Sequence, residues 1–516
     1  MKKTLLFLLP ILLMPLNGCS KGGYTFEDVS NKNGSMSYEI FVRSFYDSDG
    51  NKVGDLNGVK EKLPYLYDLG IKTVWLMPIH ESPSYHGYDV SDYYSVHRHY
   101  GTLNDFDNLV KEAKKYNIDI MLDMVFNHCS DKNQYFIDSY NDYKSNNTSS
   151  TSKANWFNWS SIKYEGYNKY NDLYYESRFS SSMPDFNLDS EGVRNEIENI
   201  MKFWIKDHGV KGFRLDAVLY YYYQLHESNI NFLTWLEDTA HKYDPNFYMV
   251  GEAWKDNDTV DQYYGSKLDS YFRFDNAIGG DYYSFINFAK GNGYPDAVTA
   301  IEEHERSMKQ KNPSGYSSYF LSNHDQDRIS KSFNEMQNKC AASMLCLMPG
   351  TPFMYYGEEI MLQGVRKKEH MTDALRRLPM VWSKSDKTGE CKYPENSTKS
   401  LWDGTQVKKG VNDQLKDGYS LVNHYKKVIN IRNKYPFLKQ GVFTNITNLT
   451  DPDGVVAYRI ALDSNYIDVY HNFSEETVKI NVKDTSILDE INTSKKAPKL
   501  SDGVLTLAPY SSAVLK

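Results

Sequence analysis

The chain has 516 residues, 40% hydrophobic and 24% charged, with a mean hydropathy of −0.63. That apolar share supports a packed core and excludes disorder, and no run of about 18 apolar residues past the N-terminus offers a polytopic membrane protein. Acidic groups outnumber basic ones by 67 to 59 (net −8), which argues against a nucleic-acid surface, and five cysteines do not make a disulfide framework. At roughly 150 residues per domain, the length fits two to four domains or one large barrel with additions. Aromatic residues reach 15%, with 43 Tyr, and such flat rings with polar tips suit both cores and sugar faces.

Residues 1–18 read as an export signal: Lys2 and Lys3 form a charged start, and Leu5 to Leu16 an apolar run too short to span a membrane. The run ends in Leu16-Asn17-Gly18-Cys19, similar to a bacterial lipoprotein box, in which Cys19 is lipidated and becomes the first residue. This implies a protein anchored to the cell membrane and facing outside the cytoplasm. Residues 19–34, small and polar, are expected to be a tether.

From Ser35 onward, short apolar runs alternate with helix-like stretches. Strands are predicted at Ser37–Val42, Thr73–Met77, Ile118–Val125, Gly212–Asp216, Tyr248–Gly251, Tyr271–Phe274, Tyr319–Leu321 and Phe353–Tyr356. Amphipathic segments such as Leu103–Tyr116 and Val193–Lys206 lie between them. Eight strands alternating with helices imply an α/β fold with a parallel sheet closed into a (β/α)8 TIM barrel, over residues 35–128 and 191–438. Residues 129–190, with the polar run Asn141–Ser152, break the rhythm as an insertion domain after the third strand. Past residue 438 the helices stop, and the runs Val455–Ile460, Tyr466–Tyr470, Thr477–Val482 and Val504–Leu507 predict a C-terminal all-β sandwich over 439–516.

Reactive residues cluster at the C-terminal ends of these strands, the face on which barrel active sites form. The third strand ends in Asp123-Met-Val-Phe-Asn127-His128, the fourth in Arg214-Leu215-Asp216, the fifth in Gly251-Glu252-Ala253-Trp254, and Asn323-His324-Asp325 follows the seventh. A single strand-end Asp is usually a helix cap, and a lone His a core histidine; four such ends on one rim make a site. Arg214, two residues before Asp216 on one strand, points to the same side and favours the ionised carboxylate.

With the segments Tyr85–Val90, Met183–Asn187 and Pro349–Glu359, this constellation resembles the α-amylase family, glycoside hydrolase family 13. The Met183-Pro184-Asp185 motif is similar to the subgroup intermediate between oligo-1,6-glucosidases and neopullulanases. The resemblance implies Asp216 as nucleophile, Glu252 as general acid/base and Asp325 as the third carboxylate, which binds sugar hydroxyls. It implies Tyr88, Asp89, His128, Arg214, His324 and Arg377 as substrate-binding residues, with Tyr88 stacking on the sugar and Asp89 and Arg377 bordering the innermost subsite. Asp123 supports the site, His86 is a further candidate for sugar contact, and Trp254 for stacking on the leaving-group side.

The loop Asp47-Ser-Asp49-Gly-Asn51-Lys-Val53-Gly-Asp55 places oxygen ligands at alternate positions, with Gly50 to let it curl and Val53 offering its carbonyl. The expected cofactor is Ca2+, on Asp47, Asp49, Asn51, Val53 and Asp55; an ordinary Asp/Asn/Gly turn is the alternative. A second calcium site stays open: Asn127 and Asp185 match two of its positions in the family, but Tyr220 stands where the family often has His. Cys129, Cys340, Cys346 and Cys391 have no zinc spacing and read as free buried thiols.

The expected activity is cleavage of internal α-1,4-glucosidic bonds of starch, maltooligosaccharides and related α-glucans by a monomer that binds no nucleic acid. An α-glucosidase, a neopullulanase-like enzyme or a transglycosylase of the same family stays open. So does a non-catalytic carbohydrate-binding lipoprotein, against which the retention of Asp216, Glu252 and Asp325 argues.

Overall fold

The computed structural model describes residues 34–278, 285–290, 294–366, 373–393 and 407–516. The export signal, Cys19 and the tether up to residue 33 lie outside the described residues. No described helix is long and apolar enough to cross a membrane.

Eight parallel strands form one sheet: Ser37–Ile40, Thr73–Leu76, Asp119–Met124, Gly212–Leu215, Tyr248–Gly251, Ser270–Phe272, Tyr316–Ser318 and Phe353–Tyr355, in chain order round the sheet. The first pairs with the eighth, Ser37 opposite Phe353, and a parallel bridge from Phe320 to Phe353 closes the seventh onto the eighth. The fold is therefore a (β/α)8 barrel, whose strands are buried on both faces and read as short apolar runs. Trp75, Met121, Val250, Phe272 and Phe353, from strands spread round the sheet, pack into one cluster with Phe320, filling the bore as barrels require.

The outer helices start and bury their faces for local reasons. Thr102 and Asp105 make a capping box at the start of Leu103–Lys115, which turns Phe106, Leu109 and Ala113 inward. Ser420 caps Leu421–Asn433 by accepting from the Asn423 amide. The α-helix predicted over 193–206 ends at Lys202 and continues as a π turn, Phe203–Asp207.

The seventh strand lies three residues earlier than expected, at Tyr316–Ser318 instead of Tyr319–Leu321. Its two serines hid it from an apolar reading, yet both are fully buried. Ser318 Oγ donates to Ser270 Oγ at 2.9 Å and Arg273 Nε donates to Ser317 Oγ at 2.9 Å, so these hydroxyls are hydrogen-bonded inside the barrel wall.

After the third strand, the helix Gln134–Lys144 packs with a three-stranded antiparallel sheet, Trp159–Ser160, Tyr167–Tyr170 and Leu173–Glu176. A bridge from His128 to Asp185 fastens this insertion to the rim, and one from Phe157 to Phe186 ties its own ends together. Beyond the barrel, a five-stranded sheet (442–445, 455–462, 465–472, 512–515, 487–491) faces a three-stranded one (478–481, 504–507, 499–501). Val455, Ala457 and Leu515 of the first meet Ile480, Leu505 and Leu507 of the second in one core, the packing of a β-sandwich.

Candidate active site

The strand ends converge on a cleft of about 470 Å³ at the C-terminal mouth of the barrel. Tyr88, His128, Asp216, Glu252, Asp325 and Arg377 line it, together with His86 and Trp254. Arg214 organises the floor. Its guanidinium is 1% exposed and donates to Asp123 Oδ1 at 2.8 Å and Asp216 Oδ1 at 2.6 Å, and lies 2.9 Å from Glu252 Oε1. Strand register produces this meeting: Asp123 sits opposite Arg214 on adjacent strands, and Leu215 sits opposite Gly251, one residue before Glu252. One fixed cation thus holds the expected nucleophile and the expected acid together.

The electrostatics separate the carboxyls. Burial pushes the Glu252 carboxyl up to about 8; the charges of Asp216 and Asp325 add to this, against Arg214 and the Ala217 amide, which donates to Glu252 Oε2 at 2.9 Å. Glu252 therefore keeps its proton at neutral pH, as a general acid must. Burial likewise raises Asp123, to about 7, and it accepts from the Tyr88 hydroxyl at 3.0 Å. Asp325 goes the other way: although burial opposes its charge, His324, Arg377 and Arg214 hold it well below the usual carboxylate range. Arg377 Nη2 donates to Asp325 Oδ1 at 2.8 Å, and His324 Nε2 lies 3.0 Å from Asp325 Oδ2.

His324 does not face the cleft. Fully buried, it lies between Glu39, 2.5 Å from Nδ1, and the pair Asp325 and Tyr88 at Nε2. Burial works against protonation, yet Asp325 and Glu39 outweigh it and raise the imidazole to about 10. The imidazolium so favoured lies against Asp325 and Tyr88. Arg214 likewise lies in the floor, buried beneath the carboxylates it holds. Tyr88 stacks on His324 at 5.6 Å and on His86 at 6.1 Å.

Asp89 departs furthest from expectation. It lies behind the wall, 4% exposed, and accepts from the hydroxyls of Ser82, at 2.7 Å, and Ser84, whereas Arg377 pairs with Asp325. His128 faces the cleft with its Nε2 buried and without a protein partner, and burial lowers its pKa, so it stays neutral. An unpartnered buried nitrogen at a cleft wall is a hydrogen-bonding position left for a ligand.

Several residues escaped the sequence reading. Glu39, in the middle of the first strand, holds His324; its signal was a charged residue inside an otherwise apolar strand. Asp373 lines the cleft 3.9 Å from Arg377, and Phe179 of the insertion leans on His128 at 5.3 Å. Phe179 carried no signal within its serine-rich stretch. The aromatic stretch 156–159 belongs to the insertion core: Phe136 packs on Phe157 at 5.2 Å and on Trp159 at 5.0 Å. Trp254 is 48% exposed and stacks on Phe274 at 4.7 Å. The four free cysteines are buried.

At the end of the first strand, ligand oxygens of Asp47, Asp49 and Asp55 lie within 4.8 Å of one another. They accept from the Gly50, Asn51, Lys52, Ser48 and Gly58 amides, which curl the loop around them. Asp185 and Asn127, by contrast, bond each other at 3.2 Å.

Residues 39–441 match the model of the alpha amylase catalytic domain, and residues 455–514 that of the alpha-amylase SusG C-terminal domain. The chain belongs to the α-amylase family. Alpha-amylase 3 of Dictyoglomus thermophilum is 35% identical over 100% of this chain and 98% of its own length. An oligo-1,6-glucosidase of Bacillus cereus is 27% identical over 93% of this chain and 98% of its own. The solved structure of Eubacterium rectale Amy13B superposes with a TM-score of 0.87 at 35% identity, covering 94% of this chain and 96% of that one. Membership with both amylase and oligo-1,6-glucosidase relatives makes this an α-amylase-type glycosidase and fits the intermediate subgroup.

Proposed function

We propose that this glycosidase cleaves internal α-1,4 bonds of starch and maltooligosaccharides by the retaining route. The observation that carries the reading is Arg214 joined to both Asp216 and Glu252 beneath one cleft. Asp216 attacks the anomeric carbon while Glu252 protonates the departing glycosidic oxygen; Glu252 then takes a proton from the incoming water, which releases the sugar from Asp216 with its α configuration kept. Asp325, kept ionised by His324 and Arg377, accepts hydrogen bonds from sugar hydroxyls, and His128 Nε2 meets the same ring.

Internal cleavage is supported by Asp89. An Asp89–Arg377 pair across the innermost subsite would block the groove and favour chain ends, but Asp89 is bound by two serines and Arg377 by Asp325. The Asp47 loop fits a calcium ion through Asp47, Asp49, Asn51, the Val53 carbonyl and Asp55; it would fix the loop that follows the first strand. The lipoprotein-like Cys19 supports lipid anchoring outside the cytoplasm, where polymer too large to import is met. The enzyme is taken as a monomer. A product profile on maltoheptaose and starch tests the reading: iodine staining should fall well before glucose accumulates. Glucose as the only early product would establish an α-glucosidase instead. Release of the anchored form by Cys19→Ser tests the location, and unchanged membrane fractionation of that variant would refute it.

A further inference from the structure

We propose that Glu39 is a positioning residue for the third carboxylate: from the first strand it fixes His324, and through His324 it holds Asp325 in the direction that the sugar needs at the transition state. The inference rests on the glycosidase reading above and deepens it by extending the machinery one layer beneath the cleft.

Strand alternation turns Glu39 into the bore. Its neighbour Tyr38 points outward, where its hydroxyl donates to Glu359 Oε1 at 2.6 Å, an oxygen shared with Tyr65 of the helix Leu63–Leu69. The charged residues on the eight strands are Glu39, Asp119, Asp123 and Arg214. Asp119 begins its strand half-buried, and Asp123 and Arg214 belong to the cleft floor, which leaves buried Glu39 as the strand charge that the floor does not explain. A buried ion pair adds little stability over apolar residues of the same volume, so packing alone does not call for a carboxylate here. Its contacts do. Glu39 Oε1 lies 2.5 Å from His324 Nδ1, while Nε2 lies 3.0 Å from Asp325 Oδ2 and 2.6 Å from the Tyr88 hydroxyl. Tyr88 stacks on the imidazole at 19°, and Trp75 meets it edge-on at 5.7 Å, so the ring is clamped with its two nitrogens aimed at the two carboxylates. The partner of one ring nitrogen decides whether the other carries a hydrogen. A carboxylate at Nδ1 lets both nitrogens donate, so Nε2 turns a hydrogen toward Asp325 instead of a lone pair. Other groups around the ring do not replace it. Asp123 reaches the ring only through the Tyr88 hydroxyl, Arg377 Nε donates to the His324 carbonyl at 3.1 Å, and Tyr355, paired with Glu39 across the strands, is a phenol that burial keeps neutral. Among the described residues, Nδ1 meets Glu39 alone. Asp325 held in this way accepts from sugar hydroxyls whose hydrogen bonds strengthen in the transition state.

Two variants separate positioning from packing. Glu39→Leu removes both the charge and the acceptor, whereas Glu39→Gln keeps the shape and an acceptor for Nδ1 and removes only the charge. For Glu39→Leu, kcat on maltoheptaose should fall about 100-fold with KM little changed, because the lost interaction is made in the transition state. Glu39→Gln should recover most of that kcat at about pH 6 and lose it as pH rises. Without the charge of Glu39 the imidazole gives up its proton at lower pH, so the alkaline limb of kcat/KM should lie below that of the parent. A glutamate that served packing alone would change the melting temperature and leave that limb in place. Near-parent kcat in Glu39→Leu, or a limb in Glu39→Gln that coincides with the parent's, would overturn the role. Should Glu39→Leu fail to fold, the limb of the isosteric Gln variant decides. A parent enzyme that hydrolyses α-glucosyl fluoride but leaves maltoheptaose intact would overturn the glucan reading alone, and the same two variants then decide the role of Glu39 on the fluoride.

Discussion

Two clusters of carboxylates sit on loops and strand ends of one barrel and are neutralised differently. At the cleft, Asp123, Asp216 and Glu252 surround Arg214, and Asp325 is flanked by His324 and Arg377, so the protein supplies the positive charge. In the 47–55 loop, the oxygens of Asp47, Asp49 and Asp55 crowd together on backbone amides. Amide dipoles bear only part of the repulsion among three carboxylates, and the calcium ion proposed for this loop would offset the rest. The difference follows from purpose. A built-in cation can be arranged to make neighbouring carboxyls unequal, which acid–base chemistry requires; a bound ion gathers equal ligands and fixes a loop.

The largest effect should come from the unequal pair. Asp216→Asn or Glu252→Gln should lower kcat by several orders of magnitude, with general acid catalysis alone accounting for about 10²–10⁴-fold, while circular dichroism and melting stay close to the parent. Near-normal turnover in either purified variant would end the assignment. Next, Arg214→Met removes the shared cation and leaves three carboxyls buried without it. It should abolish activity and cost on the order of 3–5 kcal/mol of stability in denaturant unfolding at neutral pH. A fully stable, active Arg214→Met enzyme would show that the two clusters are organised alike after all.

The pH profile sharpens the inequality. Glu252 is protonated below about 8 and must be protonated to release the leaving sugar, so kcat/KM should fall as pH rises through about 8. Glu252→Gln should lose this limb along with the activity, and a limb that persists in the residual activity would belong to another group. Smaller again is the loop. Chelator should lower the melting temperature of the native protein, since metal at 100 times its Kd contributes about 2.7 kcal/mol by mass action. Asp49→Ala should melt lower than the parent and be indifferent to chelator. A melting temperature unmoved by chelator, with no metal in the purified protein, would leave the loop an ordinary turn.

Much of this was determined by the sequence alone, because the information was local. Alternating apolar runs and amphipathic stretches announce a barrel, since a parallel strand is buried on both faces and each helix on one. The motifs at Asp216, Glu252 and Asp325 announce the chemistry because each follows a strand end and all strand ends share one rim. The spacing from Asp47 to Asp55 is legible because a curled loop brings alternate residues together by its own geometry. What only the tertiary structure decided depends on partners distant in the chain. Ser317 and Ser318 form the seventh strand because partners on neighbouring strands satisfy their hydroxyls, which hydropathy cannot register. The charge of His324 is favoured because Glu39, 285 residues away, lies against it. Asp89 is held behind the cleft wall by Ser82 and Ser84, and Phe157 and Trp159 are taken into the insertion core by Phe136. Phe179 and Tyr220 meet beside Glu252 only because the insertion folds back over the fourth strand's loop. Residue type and spacing set what each group can do; burial and long-range contact decide whether it faces the substrate.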